Sequence, residues 1–199
     1  MNLTAEQLSA IVQTRYGALF KALELPPEQL ARLRSLLTER QQAAADAANA
    51  ALINGLNPTR DLPTIHQVIE QAQATVDENI RNELGEPVYA ACREVDRTLS
   101  ERNSVGDFAR VLAAAQDPLG PEQEMKILQI LKMFPAATPP PDVERAIFDG
   151  IKTRANISDE AVTAAAKILS PHQLALLQEL RNTAGTERPA LTSRSGRQD

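Results

Sequence analysis

Apolar residues recur every three or four positions along most of this chain, the period of helices that bury one face. Residues 4–23 set Leu8, Ile11, Val12, Leu19 and Leu23 on such a stripe, with Gly17 a modest weak point. From Pro27 to Ile53 the stripe runs Leu30, Leu33, Leu37, Ala44, Ala47 and Ala51, bulky at first and then almost all alanine. That taper predicts the closest approach of a partner helix near the far end. From about Pro63 to Leu84, Ile65, Ile69, Ala72, Val76 and Ile80 keep the same spacing. Between the two runs, Asn54-Gly55-Leu56-Asn57-Pro58 offers a glycine C-cap and then a proline block. A long antiparallel helical hairpin over 27–53 and 63–84 is therefore expected.

Gly85-Glu86-Pro87 restarts the chain into a fourth helix carrying Val88, Cys92, Val95 and Leu99. A fifth is expected around 104–115, presenting Val105, Phe108, Val111 and Leu112. After the turn at Asp117-Pro118, a sixth presents Ile127, Leu128, Leu131 and Phe134. Residues 135–141 hold four prolines in seven and read as an extended linker. Short helices are expected near 141–153, 158–168 and 171–182, then a disordered tail rich in Ser, Arg, Gly and Thr. No segment shows sustained strand-like alternation, so the expectation is an all-α fold with additional helices packed on the hairpin. Its parts would be a hairpin domain over 1–134, the Pro-rich linker 135–141, a small C-terminal helical region over 142–182 and a tail over 183–199.

One phrase opens four of these helices. It reads Leu25-Pro26-Pro27-Glu28-Gln29-Leu30, Leu3-Thr4-Ala5-Glu6-Gln7-Leu8, Leu119-Gly120-Pro121-Glu122-Gln123 and Leu169-Ser170-Pro171-His172-Gln173-Leu174. Its second residue suits the N-cap, its third the first helical position, and its Gln can fold back onto the N–H of the cap. The flanking leucines occupy the positions of a hydrophobic staple. Ile157-Ser158-Asp159-Glu160-Ala161-Val162 is a related start.

Composition narrows the function classes. A formal net charge of −5 argues against general nucleic-acid binding, which needs cations to neutralise phosphates. Neither half is basic: residues 1–100 hold 9 basic and 13 acidic groups, and residues 101–199 hold 12 and 13. No apolar run reaches the ~18 residues of a membrane span. The single cysteine excludes an internal disulfide. Met1-Asn2 runs straight into a helix cap with no leader. Two expectations remain open, a cytoplasmic protein or a mature form whose signal peptide has been removed.

Candidate chemistry is sparse. His66 has Glu70 four residues on, and His172 stands at a helix start. Transition-metal sites recruit several His or Cys ligands, so both read as ordinary polar positions and no metal site is assigned. Cys92 lies on the stripe of its helix and reads as a buried, inert thiol. Asp77-Glu78 and Asp159-Glu160 read as surface carboxylates, the latter in a first helical turn. No phosphate loop or nucleophile elbow is present. No catalytic, cofactor-binding or metal residue is expected, and no enzyme activity.

The Leu-x-x-x-Gln-Leu openings, with Leu3-Thr4-Ala5-Glu6-Gln7 matching Leu-Thr-x-x-Gln, resemble the LTxxQ-motif (Spy/CpxP-like) proteins of the bacterial envelope. Three further stretches are similar to uncharacterised exported helical members of that kind. They are Tyr16-Gly17-Ala18-Leu19-Phe20-Lys21, Leu99-Ser100-Glu101-Arg102-Asn103, and the pair Ile157-Ser158-Asp159 with Leu169-Ser170-Pro171. The resemblance implies an extracytoplasmic, periplasmic, all-helical protein, dimeric, that binds other polypeptides without ATP as a chaperone or stress sensor. A periplasmic metal-responsive sensor or metal buffer is the alternative. Three departures stand against these implications: an added C-terminal region, an acidic net charge where Spy-like chaperones have a basic cradle, and too few histidines for the metal-resistance members.

Overall fold

The computed structural model describes residues 4–57, 60–135 and 155–186, with side chains described through Asn182. Within these residues the fold is all-α, and the one extended contact is an isolated antiparallel bridge between Pro135 and Ile157. The helices are α1 (Ala5–Ala22), α2 (Pro27–Ile53), α3 (Leu62–Leu84), α4 (Glu86–Arg97), α5 (Leu99–Ala114), α6 (Pro121–Met133), α7 (Asp159–Ala165) and α8 (Pro171–Thr186). Among the described residues, no helix is long and apolar enough to cross a membrane. The expected linker 135–141, apart from Pro135, and the expected helix near 141–153 lie outside the described residues.

The described chain forms two compact units divided at Leu99/Ser100. The first contains α1 to α4, and the hairpin of α2 and α3 is as the spacing predicts. Arg32 of α2 meets Glu83 of α3 in a two-pronged ion pair, and Ala48 and Ala51 share a cluster with Ile65 and Ile69. The low-numbered end of one helix thus meets the high-numbered end of the other. Bulky Leu33, Leu36 and Leu37 join Val76 and Ile80 of α3 with Val12, Tyr16 and Phe20 of α1 and Val88, Cys92 and Val95 of α4. The alanine half of α2 forms its own cluster with Ala44, Ala48, Ala51, Ile65 and Ile69. Gly55 ends α2 at φ 87° and Gly85 ends α3 at φ 90°, left-handed conformations that glycine adopts without a Cβ clash.

The second unit holds α5 to α8 around Phe108, Leu112, Ile127, Leu131, Ala161, Ala165 and Leu177. Here the partition differs from the expected one, because α5 and α6 share their core with the C-terminal helices. Periodicity tells which face of a helix is buried, but not which partner buries it. Ala155 exchanges hydrogen bonds with the Ser104 hydroxyl (2.9 and 3.2 Å), and Ser158 Oγ donates to the Phe134 carbonyl (2.9 Å), which ties the returning chain to α5 and α6.

Two boundaries and one buried position differ in detail. α5 begins at Leu99 and not near 104, and Val111, expected on its buried stripe, is 38% exposed. α8 continues to Thr186, so the first residues expected in a disordered tail are helical. No proline interrupts that stretch before Pro189.

The turn that stops α5 contains Gln116, the only non-glycine residue at positive φ among those described, at 59°. Its neighbour Asp117 donates its N–H back to the Leu112 carbonyl (3.0 Å), a left-handed helix stop that glycine fills with least strain. We predict that Gln116→Gly stabilises the second unit by about 0.5–1 kcal/mol in urea unfolding, the left-handed strain of a Cβ outweighing the entropy cost of glycine.

Candidate functional site

The buried chemistry of the first unit centres on Arg40. This residue falls on the inner face of α2, between the bulky leucines and the alanines, and is only 6% exposed. Its Nε donates to Asp77 of α3 at 2.6 Å, and one terminal nitrogen donates to Asp96 of α4 at 2.9 Å. Tyr16 of α1 donates its phenolic hydrogen to the other oxygen of Asp96. Arg15 lies 3.9 Å from Asp96 and donates to Gln41 at 3.4 Å, while Gln73 donates to the Arg40 carbonyl at 3.4 Å. Two guanidinium and two carboxylate groups balance, and every helix of the unit contributes to the network.

Burial works against the charge on Arg40, but Asp96, Tyr16 and Asp77 outweigh it and push the guanidinium pKa up. Burial first, then the charge of Asp96, raises the Tyr16 phenol above its ordinary range. The same two causes push the Cys92 thiol up to about 12. Tyr16 and Cys92 are therefore protonated at neutral pH, and neither is a ready nucleophile. The inert Cys92 expected from its stripe agrees with this environment. Asp77 does not read as the plain surface carboxylate expected, since it holds a buried cation. Sequence reasoning passed over Tyr16, Arg40 and Asp96 as well. A signal was present, because Arg40 continues the buried spacing of Leu33, Leu37 and Ala44.

The second unit has its own polar cluster, at the heads of α6 and α8. Gly120 donates its N–H to Gln123 Oε1 at 3.0 Å, and Ser170 donates its N–H to Gln173 Oε1 at 3.1 Å. The Ser170 hydroxyl accepts from the Gln173 N–H (3.1 Å), completing a capping box, whereas Gly120 has no side chain with which to do so. The two glutamines also meet: Gln123 Nε2 donates to Gln173 Oε1 at 3.3 Å and to the Ile168 carbonyl at 3.0 Å. Gln173, 4% exposed, donates to Asp117 Oδ1 at 3.2 Å, and His172 Nδ1 lies 3.0 Å from Asp117 Oδ2. Two copies of the repeated phrase are thus structural neighbours. At the N-terminal copy, Thr4 and Gln7 form a complete box (3.2 and 2.9 Å). The Leu25–Leu30 copy departs from the pattern, because its cap residue Pro26 has no N–H for Gln29 to bind and makes no side-chain cap bond.

The remaining surface offers less. His66 is half-buried, not fully on the surface, and its Nε2 has no hydrogen-bond partner among the described residues. His66, His172 and Cys92 are not brought together, and among the described residues no three His, Cys, Asp or Glu side chains converge as metal ligands. An open cleft of about 430 Å³ runs along α3 and α4, past Glu70, Asp77, Glu78, Tyr89 and Arg93. Arg81 stacks on the Tyr89 ring there, 3.8 Å from its centroid. Exposed large apolar side chains include Met125 (60%) and Met133 (70%) on α6 and Ile53 (85%) at the end of α2. Comparison of the chain with protein-family models, curated proteins and solved structures gives no match.

The buried groups of the first unit yield two predictions. Arg40→Ala should destabilise the first unit by about 3–5 kcal/mol in denaturant unfolding, because it strands two carboxylates, whereas removing the charges together should cost much less. The Cys92 thiol ionises at its ordinary 9.0 when unfolded and at about 12 when folded. Unfolding across that window releases a proton, so stability present below pH 9 is lost as alkali rises toward pH 12. Melting curves taken over that window should fall less steeply for Cys92→Ala than for the wild-type chain.

Proposed function

We propose that this chain is a non-enzymatic protein of the bacterial envelope that binds other polypeptides without ATP, as a chaperone or in stress sensing. The observation that carries the reading is the pair of exposed methionines on α6. Met125 and Met133 stand two turns apart on the solvent side of a helix whose other side buries Ile127 and Leu131. Unbranched thioether side chains adapt to apolar partners of varied shape, and exposed methionines are a recurrent feature of promiscuous binding surfaces. The capping boxes at Thr4 and Ser170 lend further support, since their Leu-Gln phrases carry the likeness to LTxxQ-motif proteins. The same likeness supports an extracytoplasmic location and a homodimer.

The test is suppression of aggregation of a chemically denatured client, followed by light scattering without nucleotide. We predict suppression at stoichiometric ratios, weakened several-fold by the double substitution Met125→Lys and Met133→Lys at unchanged melting temperature. A wild-type chain that neither suppresses aggregation nor binds the client would remove this reading.

A further inference from the structure

We propose that Asn54 is a site of spontaneous deamidation whose rate is set by opening of the turn between α2 and α3. Asn54-Gly55 is the only Asn-Gly pair in the chain, and both residues are exposed. In the reaction the backbone nitrogen of Gly55 attacks the side-chain Cγ of Asn54. The N–Cγ bond forms, the Cγ–Nδ2 bond breaks, and ammonia leaves with the amide proton of Gly55. Water then opens the five-membered imide at either carbonyl, giving aspartate or isoaspartate, so one water is consumed for each ammonia released. Asparagine is among the thermolabile residues, and glycine after it removes the side chain that would shield the attacking nitrogen. At Gly55 nothing lies within 4 Å of where a Cβ would stand.

The folded turn restrains this chemistry. Gly55 donates its N–H to the Leu52 carbonyl at 3.0 Å, and Leu56 donates to the Ala51 carbonyl at 3.0 Å. Both bonds belong to the stop that closes α2, and Leu56 anchors it by packing on the alanine cluster of the hairpin. The Gly55 nitrogen is free to attack only when this stop opens, so the rate reports a local opening equilibrium. The product matters to the hairpin as well. A new carboxylate would face the negative end of the α2 dipole, where the last turn holds no basic residue. Isoaspartate would also lengthen the main chain at the turn.

The full chain is incubated folded in mildly alkaline buffer, sampled over time and mapped by peptide mass spectrometry. Asn54 should be the first asparagine to exchange its amide for an acid. Leu56→Ala should speed the exchange several-fold while circular dichroism remains helical, and Asn54→Gln should abolish it. Low urea, below the unfolding transition, should accelerate wild-type conversion in the same way. Conversion of another asparagine ahead of Asn54 would overturn the proposal. So would equal rates in the wild-type and Leu56→Ala chains together with no response to low urea.

Discussion

A guanidinium group set among leucines and alanines is tolerated only where its charge is matched, and the first unit is arranged around that requirement. Arg40 is almost wholly shut off from water, so α3 must present Asp77 and α4 must present Asp96 at the level where α2 changes from bulky to small residues. Sliding either partner by a turn would leave the charge unmatched, at a cost of several kcal/mol. Apolar contacts alone tolerate such slips more easily, because burial is non-directional. Tyr16 extends the same constraint to α1 through Asp96. The network therefore defines register, while Leu33, Leu36, Leu37 and their partners supply most of the burial.

The second unit meets a related constraint with neutral groups. Helix starts leave backbone N–H groups without partners, and bringing two such starts together in a partly buried place multiplies the requirement. Gln123 and Gln173 each satisfy a cap; Gln123 then donates its amide hydrogens to Gln173 Oε1 and the Ile168 carbonyl, and Gln173 donates to Asp117. Leu119 and Leu169, the residues before the two caps, sit in the surrounding core. The repeated phrase thus joins α6 to α8 as well as starting each of them.

Much of this was readable from residue order, and the rest was hidden for physical reasons. The stripes placed the hairpin helices to within a residue, because their period is local and their stops are glycine and proline. The taper from Leu37 to Ala51 likewise foretold the small-residue packing near Ile65 and Ile69. Side-chain chemistry was less accessible. Asp77 has the same sequence surroundings as any helical carboxylate, and only the approach of α2 makes it a counter-ion. Arg40 was the exception, a charge at a buried position of a regular stripe. The allegiance of α5 and α6 could not be read either, since Phe108 and Ile127 would suit any apolar partner equally well.

The most direct measurement is a double-mutant cycle between Arg40 and Asp96, using Arg40→Met and Asp96→Asn and unfolding in urea. If the buried pair holds the four helices in register, the two substitutions should be strongly non-additive. The double variant should be more stable than the sum of the singles predicts by at least about 1 kcal/mol. Additive losses would mean that the guanidinium and the carboxylate act independently, and would contradict the central place given to their contact.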